Sequence, residues 1–183
     1  MLIAHSNLSV REISDTDFES IVDYFLKADK DFLSGMGVDI SKLPKREEWL
    51  KSLSEEYQLP VINKKNFYVI WVLSNEAVGH SNINKIIYGQ QAYMHIHLWH
   101  SDKRQKGLGS EFIKMSLPYY FDNFKIEKLY CEPYALNPAP NMTLSKSGFD
   151  FIEQYETVPG WLNFHQPVNK WCMDLKKYQL IYG

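Results

Sequence analysis

Tyr93-Met94-His95-Ile96-His97-Leu98-Trp99-His100, followed by Ser101-Asp102-Lys103-Arg104-Gln105-Lys106-Gly107-Leu108-Gly109-Ser110-Glu111-Phe112, is the stretch whose reading decides how this chain folds. Its first half alternates with period two, which predicts a strand. Tyr93, His95, His97 and Trp99 then share one face, and Met94, Ile96, Leu98 and His100 the other. The second half is a basic, glycine-spaced turn that opens a helix over Ser110 to Phe124. A helix N-terminus leaves about four N–H donors unpaired and carries roughly half a positive charge, which suits phosphate. Two glycines let a bulky pyrophosphate approach the backbone, and Arg104 and Lys106 add charge. A dinucleotide fingerprint needs a third glycine where Phe112 stands, and a Walker loop needs a Gly-Lys-Ser/Thr that is missing. An ordinary glycine-containing helix start is the bland alternative.

Working outward, Leu8 to Ile13 reads as a strand, and Thr16-x-x-Glu19 has the form of a capping box ahead of an apolar stripe over Phe18, Ile21, Val22, Phe25 and Leu26. Asp31 to Leu43 holds Gly35 and Gly37 and predicts a loop or broken helix. Pro44 opens a helix through Trp49, Leu50, Leu53 and Tyr57. Phe67 to Leu73 predicts a strand buried on both faces. Ser74-Asn75-Glu76 is a turn, and Ala77 to Ile87 a second strand with Gly79 as its irregular point. Pro118 is expected to kink or shorten the helix after Gly109. Lys128 to Cys131, Phe149 to Tyr155 and Val168 to Leu175 predict further strands, with a short helix from Asn137 to Ser147 capped by Gly148.

Two segments together carry a family resemblance. Arg104-x-x-Gly107-x-Gly109 after a strand is similar to motif A of the GCN5-related N-acetyltransferases (GNAT). Cys131-Glu132-Pro133-Tyr134-Ala135-Leu136-Asn137, continuing through Asn141, Leu144 and Lys146 to Gly148-Phe149, is similar to their motif B. The nearest branch is the aminoglycoside and siderophore type. The resemblance implies an α/β fold with a mixed, mostly antiparallel central sheet flanked by helices, in which a splayed strand pair forms the coenzyme cleft. It implies acetyl-coenzyme A as cosubstrate, with no metal, and an N-acetyltransferase acting on a primary amine or hydroxylamine of a small molecule by direct transfer in a ternary complex. The coenzyme is then held by Leu98 and Trp99 through backbone groups, by Arg104, Gln105, Lys106, Gly107, Leu108, Gly109 and Ser110 around the pyrophosphate, and by Asn137 and Asn141.

For catalysis the resemblance points first to His95, nine residues before Arg104, then to Glu132, with His97 as the other candidate. An unperturbed imidazole titrates near 6.5, so either histidine suits proton transfer. Each also has a plain structural reading as a packed strand residue. The His-x-His pair lacks a third ligand at convincing spacing for a metal. Many family members carry a Tyr proton donor seven residues after the motif-B Asn, where this chain has Leu144. That departure leaves the acid unassigned, with Tyr134 or water as substitutes. It also favours an alternative, a coenzyme-binding sensor or subunit without turnover. A protein N-terminus or lysine as acceptor is a further alternative.

Composition bounds the rest. The chain has 183 residues, the size of one domain spanning 1–183, with 45% hydrophobic and 23% charged residues and a net charge of −2. That balance gives no basic field for nucleic acid and no attraction to an anionic membrane. No apolar run approaches the roughly 20 residues of a membrane span. Met1 to Asn7 lacks the features of a signal peptide, and Cys131 and Cys172 read as buried thiols, so a reducing cytoplasm is expected. The 12 Tyr, 10 Phe and 5 Trp fit either a dense core or an aromatic-walled cleft. The oligomeric state stays open between a single copy and a homodimer.

Overall fold

The computed structural model describes residues 7–100 and 107–183. Its strands are β1 (Leu8–Glu12), β2 (Phe67–Leu73), β3 (Glu76–Ile87), β4 (Gln91–Leu98), β5 (Lys128–Cys131), β6 (Asp150–Thr157) and β7 (Gln166–Asp174). Its α-helices are α1 (Phe18–Leu26), α2 (Lys30–Gly35), α3 (Arg46–Tyr57), α4 (Leu108–Phe124), α5 (Pro138–Lys146) and α6 (Leu175–Tyr182). The strands form one seven-stranded sheet in the order β1-β2-β3-β4-β5-β7-β6. β4 and β5 run parallel, and the other neighbours are antiparallel. This is the mixed, mostly antiparallel sheet that the sequence implied. No helix among the described residues is long and apolar enough to cross a membrane.

The sheet separates two apolar layers. Val69 and Trp71 of β2 point into a core shared with α4, while Ile70 between them points into a core shared with α1 and α3. β2 therefore has no polar face, which its unbroken apolar run requires. Ser74 (φ 51) and Asn75 (φ 67) close the β2–β3 hairpin as a two-residue left-handed turn, whose twist matches that of the strands. The β2–β3 register shifts between Trp71 and Val72, next to Gly79. A Cβ there would lie 2.5 Å from the His97 carbonyl oxygen, so the position excludes a side chain.

Three expectations change. α4 runs from Leu108 to Phe124 with Pro118 inside it, neither shortened nor stopped. An interior proline costs about 3 kcal/mol. Phe112, Ile113, Leu117, Tyr120, Phe121 and Phe124 are all buried against the sheet, and each contributes about 1.5–3 kcal/mol, so packing wins. The cap before α1 is not the Thr16/Glu19 box. The Ser14 amide donates to the Asp17 carboxylate at 2.8 Å, and Arg11 grips the same carboxylate at 2.6 and 2.7 Å. The C-terminal helix α6 went unanticipated because it is short. Asp174 caps it by accepting from the Lys177 amide, and Tyr178 stacks on Phe121 at 4.4 Å. Residues 31–43 take the broken-helix form, α2 followed by a 3-10 turn over Ile40–Lys42.

The feature that places the site is a fork. β4 and β5 pair only over Gln91–Tyr93 and Lys128–Tyr130. Beyond that point β4 stays with β3 as far as the Gly79–Leu98 pair. The chain after Cys131 leans the other way, onto β7. The Asn169 amide donates to the Pro133 carbonyl at 3.1 Å, and the Ala135 amide to the Pro167 carbonyl at 2.9 Å. Each strand is tied to its outer neighbour, and a V opens between them.

Gly79→Ala is expected to lower stability by about 1–3 kcal/mol, because the new methyl presses on backbone rather than on a side chain that can turn away. The control is Gly35→Ala, whose added Cβ meets nothing within 4 Å and is expected to be neutral or slightly stabilising. Urea midpoints of the two variants against the parent chain check this.

Candidate functional site

On the side of the sheet that faces α1 and α3, the antiparallel register lines up polar side chains. His80 faces His97, Asn82 faces His95 and Asn84 faces Tyr93 across β3 and β4, with Tyr68 of β2 beside Asn82. A cavity of about 150 Å³ lies over this row and reaches the mouth of the V, where Glu132, Tyr134 and Asn137 line it. Phe25, Met36, Trp49 and Trp161 wall its other side. The roof joins two distant loops. The Gly37 carbonyl accepts from Asn163 Nδ2 at 2.9 Å and Gln166 Nε2 at 2.8 Å, and the Asp39 amide donates to the Leu162 carbonyl at 2.7 Å.

The cavity floor is uncharged. Burial pushes His95 down to about 4, aided by the Lys85 ammonium. Burial first, and then the neighbouring His95, pushes His80 down to about 3. Burial likewise holds His97 well below the ordinary imidazole range. Trp99 Nε1 donates to His80 Nδ1 at 2.9 Å, which leaves the His80 proton on Nε2. The His80 and His97 rings lie 4.8 Å apart, and Phe25 meets His97 edge-on at 5.2 Å. His95 Nε2 and His97 Nδ1 are buried without a hydrogen-bond partner in the protein. Both residues line the cavity.

Glu132 supplies the charge. The Tyr155 hydroxyl donates to its Oε1, and burial and that carboxylate raise Tyr155 well above its ordinary value, so it stays a donor. The Lys170 ammonium sits 4.7 Å from the Tyr130 ring centroid on the same face. No other Asp, Glu, Lys or Arg is among the described residues lining the cavity.

The candidates named from sequence divide. His95, His97, Glu132 and Asn137 come together at the cavity. Asn137 precedes α5 without a side-chain capping bond, so its amide is not committed to the helix. Gly107 precedes α4 at φ 75, and none of the described residues lies within 4 Å of where a Cβ would sit. Arg104, Gln105 and Lys106 lie outside the described residues. Other named residues already have partners within the protein. Asn141 Nδ2 donates to the Tyr134 and Asn137 carbonyls, and its Oδ1 accepts from Asn169 Nδ2 and Trp171 Nε1. All four of its hydrogen-bonding positions are used, so it buckles the motif-B segment to β7 and has nothing left for a coenzyme. The Trp99 amide donates to the Val78 carbonyl at 2.8 Å and its indole to His80, so neither N–H is offered to pantetheine. The Leu98 and Leu108 side chains pack against the α4 core. A Cβ on Gly109 would lie 3.2 Å from the Thr143 methyl, so this glycine also serves helix packing. Ser110 Oγ donates back to the Gly107 carbonyl at 2.9 Å.

His80, Asn82, Asn84 and Tyr155 are site residues that the sequence reading missed. The first three had a signal, polar residues at every second position of a predicted strand facing another such row. Tyr155 had none, because its contact depends on β7 lying between β5 and β6. The thiols Cys131 and Cys172 are free and buried, and burial pushes Cys172 up to about 11. Among the described residues no group of three or more His, Cys, Asp or Glu is placed to hold a metal ion.

A profile of the acetyltransferase (GNAT) domain matches residues 7–150. No curated protein sequence matches the chain. Solved structures share the fold at low identity. A spermidine N-acetyltransferase from Vibrio cholerae, solved with coenzyme A and spermine, superposes with a TM-score of 0.77 at 15% identity, covering 96% of this chain and 99% of that one. RimL, a ribosomal L7/L12 alpha-N-protein acetyltransferase with coenzyme A, gives 0.75 at 16%, covering 94% and 96%. An aminoglycoside acetyltransferase with coenzyme A and kanamycin gives 0.71 at 12%, covering 96% and 99%.

The buried histidines set an acid dependence of stability. Each titrates near 6.5 when unfolded and lower when folded, so between those values the unfolded chain binds more protons. Their contribution is complete above about pH 6.5 and is lost as pH falls through the window down to about 4 for His95 and about 3 for His80. By pH 4 His95 and His80 have each removed about 3 kcal/mol. Urea unfolding at pH 7, 5.5 and 4 is expected to show this slope, and His95→Asn to flatten it.

Proposed function

The chain belongs to the GNAT acetyltransferase family, and we propose that its residues 1–183 act as one domain that moves an acetyl group from acetyl-coenzyme A to a primary amine or hydroxylamine of a small molecule. The observation that carries this reading is the V between β4 and β5, with the cavity and its single carboxylate on one side. The coenzyme fits the residues present. The amides around the bare Gly107 at the start of α4 suit its pyrophosphate, the β4 edge over Met94–His97 faces the V, and the Asn137 side chain is uncommitted. When bound, the coenzyme supplies the acetyl thioester.

The protein's own groups then have distinct tasks. Glu132, with Oε1 held by Tyr155, draws the acceptor in its ammonium form, which gives one proton to water to become the free amine, and orients the nitrogen. The nitrogen lone pair attacks the acetyl carbonyl, the carbon–sulfur bond breaks, and the thiolate leaves. His95 Nε2 takes the proton that the nitrogen gives up as the new bond forms. A weakly basic imidazole suffices, because a nitrogen bonded to an acyl carbon is far more acidic than an alkylammonium. Leu144 is fully buried in the α4 core and gives no proton. Tyr134, which lines the cavity mouth, or water protonates the thiolate in this reading. The buried Leu144 also supports the second reading, a coenzyme sensor that does not turn over.

Release of free thiol from acetyl-coenzyme A with a panel of amines separates the readings. Tight coenzyme binding with no thiol released by any amine assigns the sensor. Absence of coenzyme binding by calorimetry, with Gly107→Trp indistinguishable from the parent, removes both. With turnover established, His95→Ala is expected to lower kcat by about 10²–10⁴ at unchanged coenzyme affinity. Glu132→Gln should raise KM for the amine, and Tyr155→Phe should do so to a smaller extent.

A further inference from the structure

β3 loses its regularity at Lys85. The β3–β4 register shifts between Asn84 and Ile87, and Lys85 takes the left-handed backbone at φ 47. A residue with a Cβ seldom adopts that conformation, and such strain persists where the surroundings or the task of the side chain demand it. Here the turn re-aims the arm. Ordinary alternation would put Lys85 on the face opposite to Asn84. Its ammonium instead lies 4.7 Å from the centroid of the Tyr93 ring, on the side of the sheet that carries His95.

From that position Lys85 Nζ donates to the Pro159 carbonyl at 2.9 Å. Pro159 is buried, and among the described residues no other group donates to this oxygen. A buried carbonyl without a donor is costly, so the bond ties the loop down. The loop is residues 159–165, which bring Gly160, Trp161, Leu162 and Asn163 to the cavity lining. Its far end is bound to Gly37 and Asp39, and on its exposed side Lys42 Nζ donates to the Asn163 carbonyl at 2.5 Å. Among the described residues, Lys85 supplies the hydrogen bond that fastens the near end to the floor strands. Gly160 stands directly over the floor there, since a Cβ on it would lie 3.8 Å from His95 Cε1.

We propose that Lys85 is a positioning residue for the acceptor: its ammonium pins the Pro159 carbonyl, keeps Gly160 over His95, and so sets the height of the roof above the site of transfer. The inference rests on the acetyl-transfer reading. Lys85 acts through the loop and not on the reacting atoms, so its loss weakens acceptor binding and leaves the coenzyme alone. The strained backbone at position 85 then serves to deliver a cation to the roof.

The test is steady-state thiol release by the full chain with acetyl-coenzyme A and spermidine, kanamycin or benzylamine, read on whichever amine the parent uses fastest. Lys85→Met removes the ammonium and keeps the bulk. Lys85→Gly removes the whole arm yet accepts φ 47 without strain. Both are expected to raise KM for the amine about tenfold or more, with kcat changed less than about threefold and coenzyme affinity by calorimetry unchanged. Lys85→Arg, which keeps a cation and its donors, should return KM to within about threefold of the parent, and Lys42→Met should leave it there as well. Chymotrypsin, cutting after Trp161 or Phe164, is expected to cleave Lys85→Met about fivefold faster than the parent. An unmoved KM in Lys85→Met and Lys85→Gly overturns the proposal while acetyl transfer stands. So does an equal rise in Lys42→Met, or a fall in kcat at constant KM. If the parent releases no thiol with any amine, the acetyl-transfer reading fails and the positioning role fails with it.

Discussion

The site exists because two neighbouring strands are held by opposite partners. Over Gln91–Tyr93 the β4–β5 ladder is ordinary parallel sheet. Past it, β3 retains β4, and β7 takes the chain that follows β5. A gap inside a sheet leaves backbone groups unsatisfied and is normally costly. Here the outward hydrogen bonds and the Asn141 buckle satisfy the segment on its far side, so the opening is a stable part of the fold. The start of α4, the cavity and the Glu132 carboxylate all take their positions from that opening.

The polar row across β3 and β4 would be an error in a simple core, since it sets three imidazoles and two amides in a buried layer. It is tolerated for two reasons. The imidazoles stay neutral, and Trp99 fixes one of them through His80 Nδ1. The nitrogens left over belong to residues that line the cavity. The cost in stability is localised at the acid side of neutrality, where a protein at ordinary pH does not meet it.

Much of this was legible from residue order. The alternation of residues 93–99 gave the two faces of β4 correctly, with Met94 in one core and His97 against the rings of the other layer. Glycine spacing and the motif-B segment gave the family. What could not be read were contacts made by topology. Asn141 buckles the motif-B segment to β7, because Trp171 and Asn169 arrive from a strand that sequence cannot place beside it. Tyr155 reaches Glu132 for the same reason. Pro118 misled because local propensity is a smaller term than the six side chains buried around it.

The roof over the cavity has a consequence for the order in which the molecule is assembled. Gly37 and Asp39 are bridged to Leu162, Asn163 and Gln166, partners separated by well over a hundred positions along the chain. Closing so long a loop is entropically expensive and comes late in folding. During synthesis the hairpins of β2, β3 and β4 can form while the acceptor chamber still lacks its cover. A nascent chain therefore holds its row of histidines before the cavity over them has been closed.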